Sequence, residues 1–368
     1  STSPPCWPSV CVRPTCAAAA ARRGRRLPYN PVAFAAGDFR GRRLSWRDAR
    51  AGTGDPDLEL IRGKHNLRPA HRGCAVTIGN FDGLHLGHRA VLGRLVERAR
   101  TLGVPATVMS FEPTPREHFM GAAAPPRLAG FREKFLALAE QGVDRLFCAR
   151  FDAAMAALEP EAFIREYLVE GLGTRYLVIG DDFRFGRGRA GDFGTLRAAG
   201  RVHGFEVADT PTCILDGMRV SSTAVRAALA AGDLGLATKL LGRHYGMTGR
   251  VVAGRRVGRS LGMPTANLRP GRRVLPVTGV FAVLVRGVAE WPWPAVANLG
   301  TRPTVDGTEP LLETHLFDFD GDLYGRRIRV EFVARLRDEQ RFDDLASLTA
   351  QMHRDADLAR RALAAAGH

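Results

Sequence analysis

Residues 74–92 read CAVTIGNFDGLHLGHRAVL. An apolar run over 74–78 enters a turn that holds Gly79, Gly83 and Gly87. Beyond it Val91, Leu92, Leu95, Val96, Ala99 and Leu102 recur at helical spacing. A strand apolar on both faces that feeds a helix through a short turn is the repeating unit of a parallel α/β sheet. The turn then lies at the carboxyl end of its strand, where sheets of that kind bind ligands.

The flanking sequence repeats the pattern. PATVMSF (105–111), DRLFCARF (144–151), YLVIG (176–180) and FEVADT (205–210) read as strands. FREKFLALAEQG (131–142), PEAFIREYLVEGL (160–172) and GDFGTLRAAGRVHG (191–204) read as the helices between them. Two short helices, SSTAVRAALAAGD (221–233) and LGLATKLLG (234–242), close this part. The expectation is an α/β domain with a doubly wound parallel sheet over 58–242. From 243 the texture changes. MTGRVVAG, GVFAVLVRG, PAVANLG, LLETHLFDF and RRIRVEFVARL are short β-rich runs parted by Gly, Pro and Asp, as in a small antiparallel β-barrel. Residues 342–366 end the chain as a terminal helix, Asp first and Arg later, as the helix dipole favours. Two domains, 58–242 and 243–368, suit a chain of 368 residues.

Residues 1–57 stand apart. They carry ten Arg, no Lys and four acids, include CAAAAARRGRR, and show no period. They read as a disordered extension or as translated sequence upstream of the natural start. Their acid-poor beginning also resembles a transit peptide. They supply +6 of the net charge of +15. Such a surplus suits small polyanionic substrates, nucleic acid or no particular partner, and no nucleic-acid-binding motif accompanies it. No run of roughly 18 apolar residues offers a membrane span. Six cysteines without a CxxC pair fit free thiols in a reducing cytoplasm better than a disulfide or zinc framework. No obligate protein partner is evident.

Within the quoted turn His85 and His88 stand three apart, and three readings compete. A metal needs a third and preferably a fourth ligand with matching placement. A pair of core histidines needs only satisfied ring nitrogens. An anion needs glycines that let the backbone approach closely, a helix start with free N–H groups, and imidazole N–H donors. The glycines and the strand-to-helix position favour the anion.

GNFDGLHLGH resembles the HxGH signature of the nucleotidyltransferases, in the variant of the prokaryotic bifunctional riboflavin kinase/FAD synthetase family. LIRGKHNLRP, SFEPTPREHF, VIGDDFRFGRGRAGDF and RVSSTAVRAAL resemble further blocks of that family in order. The resemblance implies adenylylation of FMN by ATP, the FMN phosphate attacking the α-phosphorus directly and pyrophosphate leaving. His85 and His88 would contact the ATP phosphates, with Gly79, Asn80, Phe81, Asp82, Gly83 and Gly87 shaping the nucleotide turn. Ser221, Ser222 and Thr223 open a helix followed by Arg226, a set suited to the remaining phosphates. By themselves these four are also an N-cap with a surface Arg. Phe111, Pro113, Asp181, Asp182, Phe183 and Phe185 would frame flavin and adenine, although Phe183 and Phe185 alone equally suit a core. Thr114 stands where the family often has His.

GRRVGRSLGMPTANL (254–268) is a second signal. Gly254, Gly258 and Gly262 make a flexible loop that Arg255, Arg256 and Arg259 render positive. Thr265 and Asn267, two apart on an extended segment, share a face. Their oxygens suit Mg²⁺ bound to substrate phosphates, and the stretch by itself also suits a basic surface loop. It resembles the GRxLGxPTAN block of riboflavin kinases, and VANLGTRPTVDG and LLETHLFDFDGDLYGRRIRVEF resemble later blocks of that module. The resemblance implies that Thr265 and Asn267 hold Mg²⁺ and ATP phosphates and that Gly254, Gly258, Arg259 and Gly262 line the nucleotide. It makes Glu313 the general base for the riboflavin 5′-hydroxyl, with Arg337, Glu339 and Phe342 near the flavin. Ala253 stands where the family often has His. Riboflavin, FMN, FAD and ATP are the implied ligands. Another HxGH transferase would leave PTAN and Glu313 without a purpose, and a nucleic-acid-binding protein would account for the charge alone.

Overall fold

Ala75–Ile78 is a strand buried at every residue, β2 of a six-stranded sheet, in the computed structural model of the chain. The structure describes residues 58–254, 261–304 and 307–368, with the backbone alone for 302–304 and 307–308. The extension 1–57 and the loop residues Arg255, Arg256, Gly258 and Arg259 lie outside the described residues. The sheet strands are β1 (Glu59–Arg62), β2, β3 (Ala106–Glu112), β4 (Arg145–Arg150), β5 (Tyr176–Gly180) and β6 (Glu206–Thr210). All neighbours are parallel, in the order β1-β4-β3-β2-β5-β6. The chain leaves β2 for β3 and β4 on one side and returns to β5 on the other. The carboxyl end of β2 is therefore the switch point, where the sheet opens a crevice.

Around the sheet run α1 (Leu86–Leu102), α2 (Pro115–Met120), α3 (Phe131–Glu140), α4 (Ala153–Ala156), α5 (Pro160–Phe163, continued helically over Ile164–Val169) and α6 (Phe193–His203). Alternate strand residues serve two cores. Val76, Ile78, Met109 and Phe147 pack with Phe163, Leu168 and Leu196. Ala75, Val108, Leu146 and Val178 pack with Leu92, Leu95, Ala99 and Leu138. This double burial is why the strands read as unbroken apolar runs.

A hairpin that the sequence reading lacks, β7 (Ile214–Leu215) with β8 (Met218–Arg219), leads to α7 (Ser222–Ala230) and α8 (Leu234–Leu241). A closed antiparallel barrel follows, built of β9 (Gly246–Val252), β10 (Ala266–Leu268), β11 (Gly279–Arg286), β12 (Trp293–Thr304), β13 (Gly307–Leu316) and β14 (Arg327–Arg337). Phe281, Val283 and Val285 of β11 belong to the interior cluster. The alternate residues Val280, Ala282 and Leu284 pack outward against Ala356, Ala359 and Leu363 of the terminal helix α9 (Leu345–Ala365). Asp344 caps that helix by accepting from the Ser347 N–H at 2.7 Å. The two short helices at the end of the sheet region put Val225, Leu229, Ala237 and Leu240 into the cluster that fills the barrel. Their spacing fixes an apolar face and leaves open which neighbour that face meets.

Candidate active sites

The turn between β2 and α1 lies at the switch point. His85 is the N-cap of α1, and its ring Nδ1 accepts the backbone N–H of His88 at 3.3 Å. The two imidazoles stack, 3.6 Å between centroids and 18° apart. Burial lowers the pKa of His85 to about 4, with Asp82 opposing and Arg226, Arg219 and Arg243 adding to the fall. Burial, His85 and Lys134 push the pKa of His88 well below its usual value. Both rings are thus neutral at neutral pH. Since His85 Nδ1 accepts a bond, its one proton sits on Nε2, ready to donate. His88 Nδ1 and Asn80 Oδ1 are buried without a hydrogen-bond partner among the described residues. Such atoms call for a partner or water. His88 Nδ1 can donate to an anion if it carries the ring proton, whereas Asn80 Oδ1 can only accept, and so pairs with a donor.

The remaining turn residues build the frame. Asp82 accepts the N–H groups of Leu128 (3.0 Å) and Ala129 (2.9 Å) and pairs with Arg226 at 2.5 Å. Arg226 also donates to the Pro126 carbonyl at 2.7 Å, and Ser222 to the Asp82 carbonyl at 3.0 Å. Ser221 caps α7 through the Ala224 N–H at 3.1 Å, and Thr223 is exposed beside it. Arg226 is half-buried, not a surface residue. Phe81 is buried, its ring 5.0 Å from that of His88. The set is brought together as the motifs suggest, but Asp82 and Arg226 hold each other and the loop at 126–129.

Lys134 escaped sequence reasoning. It is buried, donates to Ser110 Oγ at 3.2 Å, and its charge is felt by His88. The signal was present, because Lys134 falls on the apolar face of FREKFLALAE between Phe131 and Leu138.

Among the residues that the resemblance assigns to the flavin, Phe111 is buried edge-on to Phe151 at 5.6 Å. Pro113 leads into α2, whose cap is Thr114, accepting from the Glu117 N–H at 3.3 Å. Arg127 holds both Glu112 and Glu117, and its hydrogen bond draws the Glu117 carboxyl down to about 2. Phe119 is 70% exposed yet ringed by His118 (5.1 Å) and Phe151 (5.8 Å), an open aromatic surface the sequence reading passed over. Asp181 accepts from Thr212 at 2.8 Å and Asp182 from Arg219 at 2.6 Å, which ties their loop to the β7–β8 segment. Phe185 is a core residue against Phe163 at 5.4 Å, with Phe183 stacked on it at 5.7 Å.

The second site is on the barrel. Glu313 of β13 lies opposite Asn267 of β10 and opposite Asn298 of β12. Directly opposed residues share a face, so the three side chains are neighbours. Asn267 is buried, its Nδ2 donates to the Thr265 carbonyl at 3.3 Å, and its Oδ1 has no partner among the described residues. A Cβ at Gly254 would overlap the Asn267 carboxamide, which would have to shift to admit it. Gly262 takes a φ of +74° at the far end of the loop. Gly254, Thr265 and Asn267 line a cavity of about 680 Å³ together with Phe319, Asp322 and Tyr324. His315 Nδ1–H donates to the Pro264 carbonyl at 2.9 Å, since a carbonyl oxygen can only accept. Glu339 accepts from Asn298 at 3.5 Å, and burial together with the charge of Glu313 pushes its pKa up. Arg337 is committed to Asp355 of α9 at 2.9 and 2.6 Å, with Phe342 5.9 Å from its guanidinium. Asn298 and His315 carried no signal of their own, since only the strand register brings them to the site.

A family model described as FAD synthetase matches residues 67–224, and one described as riboflavin kinase matches residues 241–363. A bifunctional riboflavin kinase/FMN adenylyltransferase of Pseudomonas fluorescens is 51% identical over 312 residues, 84% of this chain and 100% of that one. The protein of the same name from Escherichia coli K12 is 52% identical over 304 residues, 82% of this chain and 97% of that one. Among solved structures, one named as a macrolide-efflux protein from Streptococcus pneumoniae matches with a TM-score of 0.70 at 29% identity, covering 82% of this chain and 98% of that one. No helix among the described residues is long and apolar enough to cross a membrane.

Proposed function

The chain belongs to the bifunctional riboflavin kinase/FMN adenylyltransferase family, and from that premise we propose how its two sites divide the work. It is a transferase with two activities. Riboflavin and ATP give FMN and ADP at the barrel, and FMN and ATP give FAD and pyrophosphate at the sheet. The observation that carries this division is the pairing, on one chain, of a neutral His85/His88 helix start with a Glu313–Asn267 register on the barrel.

At the sheet site the FMN phosphate oxygen attacks the α-phosphorus of ATP and pyrophosphate departs. His85 Nε2–H, the His88 ring and the start of α1 stabilise charge on the phosphoryl oxygens, a role that needs position and not a protein nucleophile. Asp82 and Arg226 keep the turn in shape while the guanidinium stays close enough to influence His85. Gly79, Asn80, Gly83, Gly87, Ser221, Ser222 and Thr223 surround the nucleotide. The Phe111–Pro113 corner and the Phe119 surface receive the isoalloxazine, and Asp181, Asp182 and Phe183 complete the frame for flavin and adenine.

At the barrel Glu313 accepts the proton of the riboflavin 5′-hydroxyl as that oxygen attacks the γ-phosphorus. Thr265 and Asn267 offer neutral oxygens, one of them an orphaned buried acceptor, a set that fits a hard divalent cation retaining water and phosphate ligands. Mg²⁺ bound there would neutralise charge on the ATP phosphates. Glu339 and Phe342 border the flavin, and Arg337 orders them through Asp355. Free thiols at Cys74, Cys148 and Cys213 support a cytoplasmic setting, and small molecules are the partners.

The test is direct. Protein incubated with riboflavin, ATP and Mg²⁺ should form FMN and then FAD on chromatography. His88→Ala should lower FAD formation by about 10²-fold while FMN accumulates. Glu313→Gln should stop riboflavin phosphorylation and leave added FMN convertible to FAD. Wild-type protein that makes neither nucleotide, or a Glu313→Gln variant with normal kinase turnover, would refute the assignment.

A further inference from the structure

The adenylyltransferase turn is held from outside the sheet. Arg243, between α8 and β9, donates from Nη2 to the Gly83 carbonyl at 2.7 Å and from Nη1 to the Leu84 carbonyl at 3.0 Å. Nη1 also reaches the Leu241 carbonyl at the end of α8, at 3.3 Å. Gly83 has a φ of +83° and Leu84 one of +42°, the latter a left-handed conformation that a leucine avoids without support. The residue that follows is His85, whose ring caps α1 and stacks on His88. The guanidinium therefore fixes the two carbonyls directly before the residue on which the site turns.

Other residues of the barrel segment brace the same region. Tyr245 donates to the Leu128 carbonyl at 3.2 Å and Arg272 donates to it at 3.0 Å. The N–H groups of Leu128 and Ala129 are the ones that hold Asp82. Glu133 accepts the Thr248 N–H of β9 at 2.6 Å and pairs with buried Arg272. Arg243 differs in touching the turn itself, and its charge also acts on His85.

We propose that Arg243 is a positioning residue for adenylyl transfer, a cation contributed from the kinase side that shapes the phosphate turn. The proposal rests on the reading of the His85/His88 turn as the adenylyl-transfer site. A planar fork can hold both carbonyls at once, whereas an ammonium holds them only as a point charge. The two properties separate in kinetics. Loss of the charge weakens binding of polyanionic ATP and raises KM. Loss of the fork misplaces His85 and lowers kcat, where an error of about 1 Å costs up to about 10²-fold.

Full-length Arg243→Met, Arg243→Gln and Arg243→Lys proteins test it through both activities. Arg243→Met and Arg243→Gln should raise KM for ATP and lower kcat in FAD formation, for a combined fall of about 10- to 100-fold. Arg243→Lys should recover KM and keep a reduced kcat. Riboflavin phosphorylation should stay within about twofold of wild type in all three. Wild-type FAD kinetics in Arg243→Met or Arg243→Gln, full recovery of kcat by lysine, or a parallel loss of both activities in every variant would overturn the proposal. If Arg243→Met does not fold, Arg243→Gln gives the same reading. A wild-type protein that forms no FAD from FMN would instead sink the site assignment, so the two failures are distinguishable.

Discussion

His85 shows how one side chain joins fold and chemistry. Its ring replaces the Ser or Asp usual at an N-cap, accepting the His88 N–H as a neutral acceptor. Protonation would remove that lone pair, so the cap and the stack both require the neutral ring. The sign of the pH effect follows from the lowered pKa. The unfolded chain takes up this proton near pH 6.5, whereas the folded chain resists it until about pH 4. Stability contributed by neutral His85 is therefore fully present above pH 6.5 and declines as pH falls toward 4, by up to about 3 kcal/mol. His85→Asn retains a capping acceptor without the titration. Thermal melts of the two proteins between pH 7 and pH 4.5 should show wild type losing more Tm than the variant. Equal losses would mean that the His85 ring titrates normally.

Most elements were legible because both faces of the sheet strands and one stripe of each long helix are apolar. The positions that mattered most were less so. Lys134 interrupts an apolar face, and Asn298 gains meaning only from being opposite Glu313. The destination of α7 and α8 was hidden because an apolar face specifies burial and not the partner. Arg337 is a further instance at this scale. The resemblance places it near the flavin, and its guanidinium pins β14 to α9 through buried Asp355, which Gln351 also contacts at 2.8 Å. Removing the carboxylate leaves a half-buried cation unpaired. Asp355→Ala should therefore cost about 3 kcal/mol in denaturant unfolding. Glu339 is two residues beyond Arg337, so KM for riboflavin should rise in the same variant. FAD formation from added FMN should not change when assayed well below Tm. A variant as stable as wild type would show the pair to be dispensable.

The two catalytic regions read as separate blocks of sequence, yet the molecule does not pack as two. One buried cluster runs from Val225, Leu229 and Leu240 of α7 and α8 into Phe281, Leu299 and Phe332 of the barrel. The Arg272–Glu133 pair crosses between the regions with side chains only 1% and 10% exposed. Separating the regions would break that pair and expose the apolar cluster to water, and the exposed apolar surface is the costly part. Neither region therefore unfolds while the other keeps its surface intact. Calorimetry should show one transition, although chains of this length commonly show several. A non-hydrolysable ATP analogue with Mg²⁺ should move that whole transition upward, by about 2.7 kcal/mol of added stability for each site held at 100 times its Kd. Glu133→Ala, by leaving Arg272 without its carboxylate, should lower the same single transition. Two resolved transitions, with the analogue moving one and Glu133→Ala the other, would show that the regions are thermodynamically independent despite their common core.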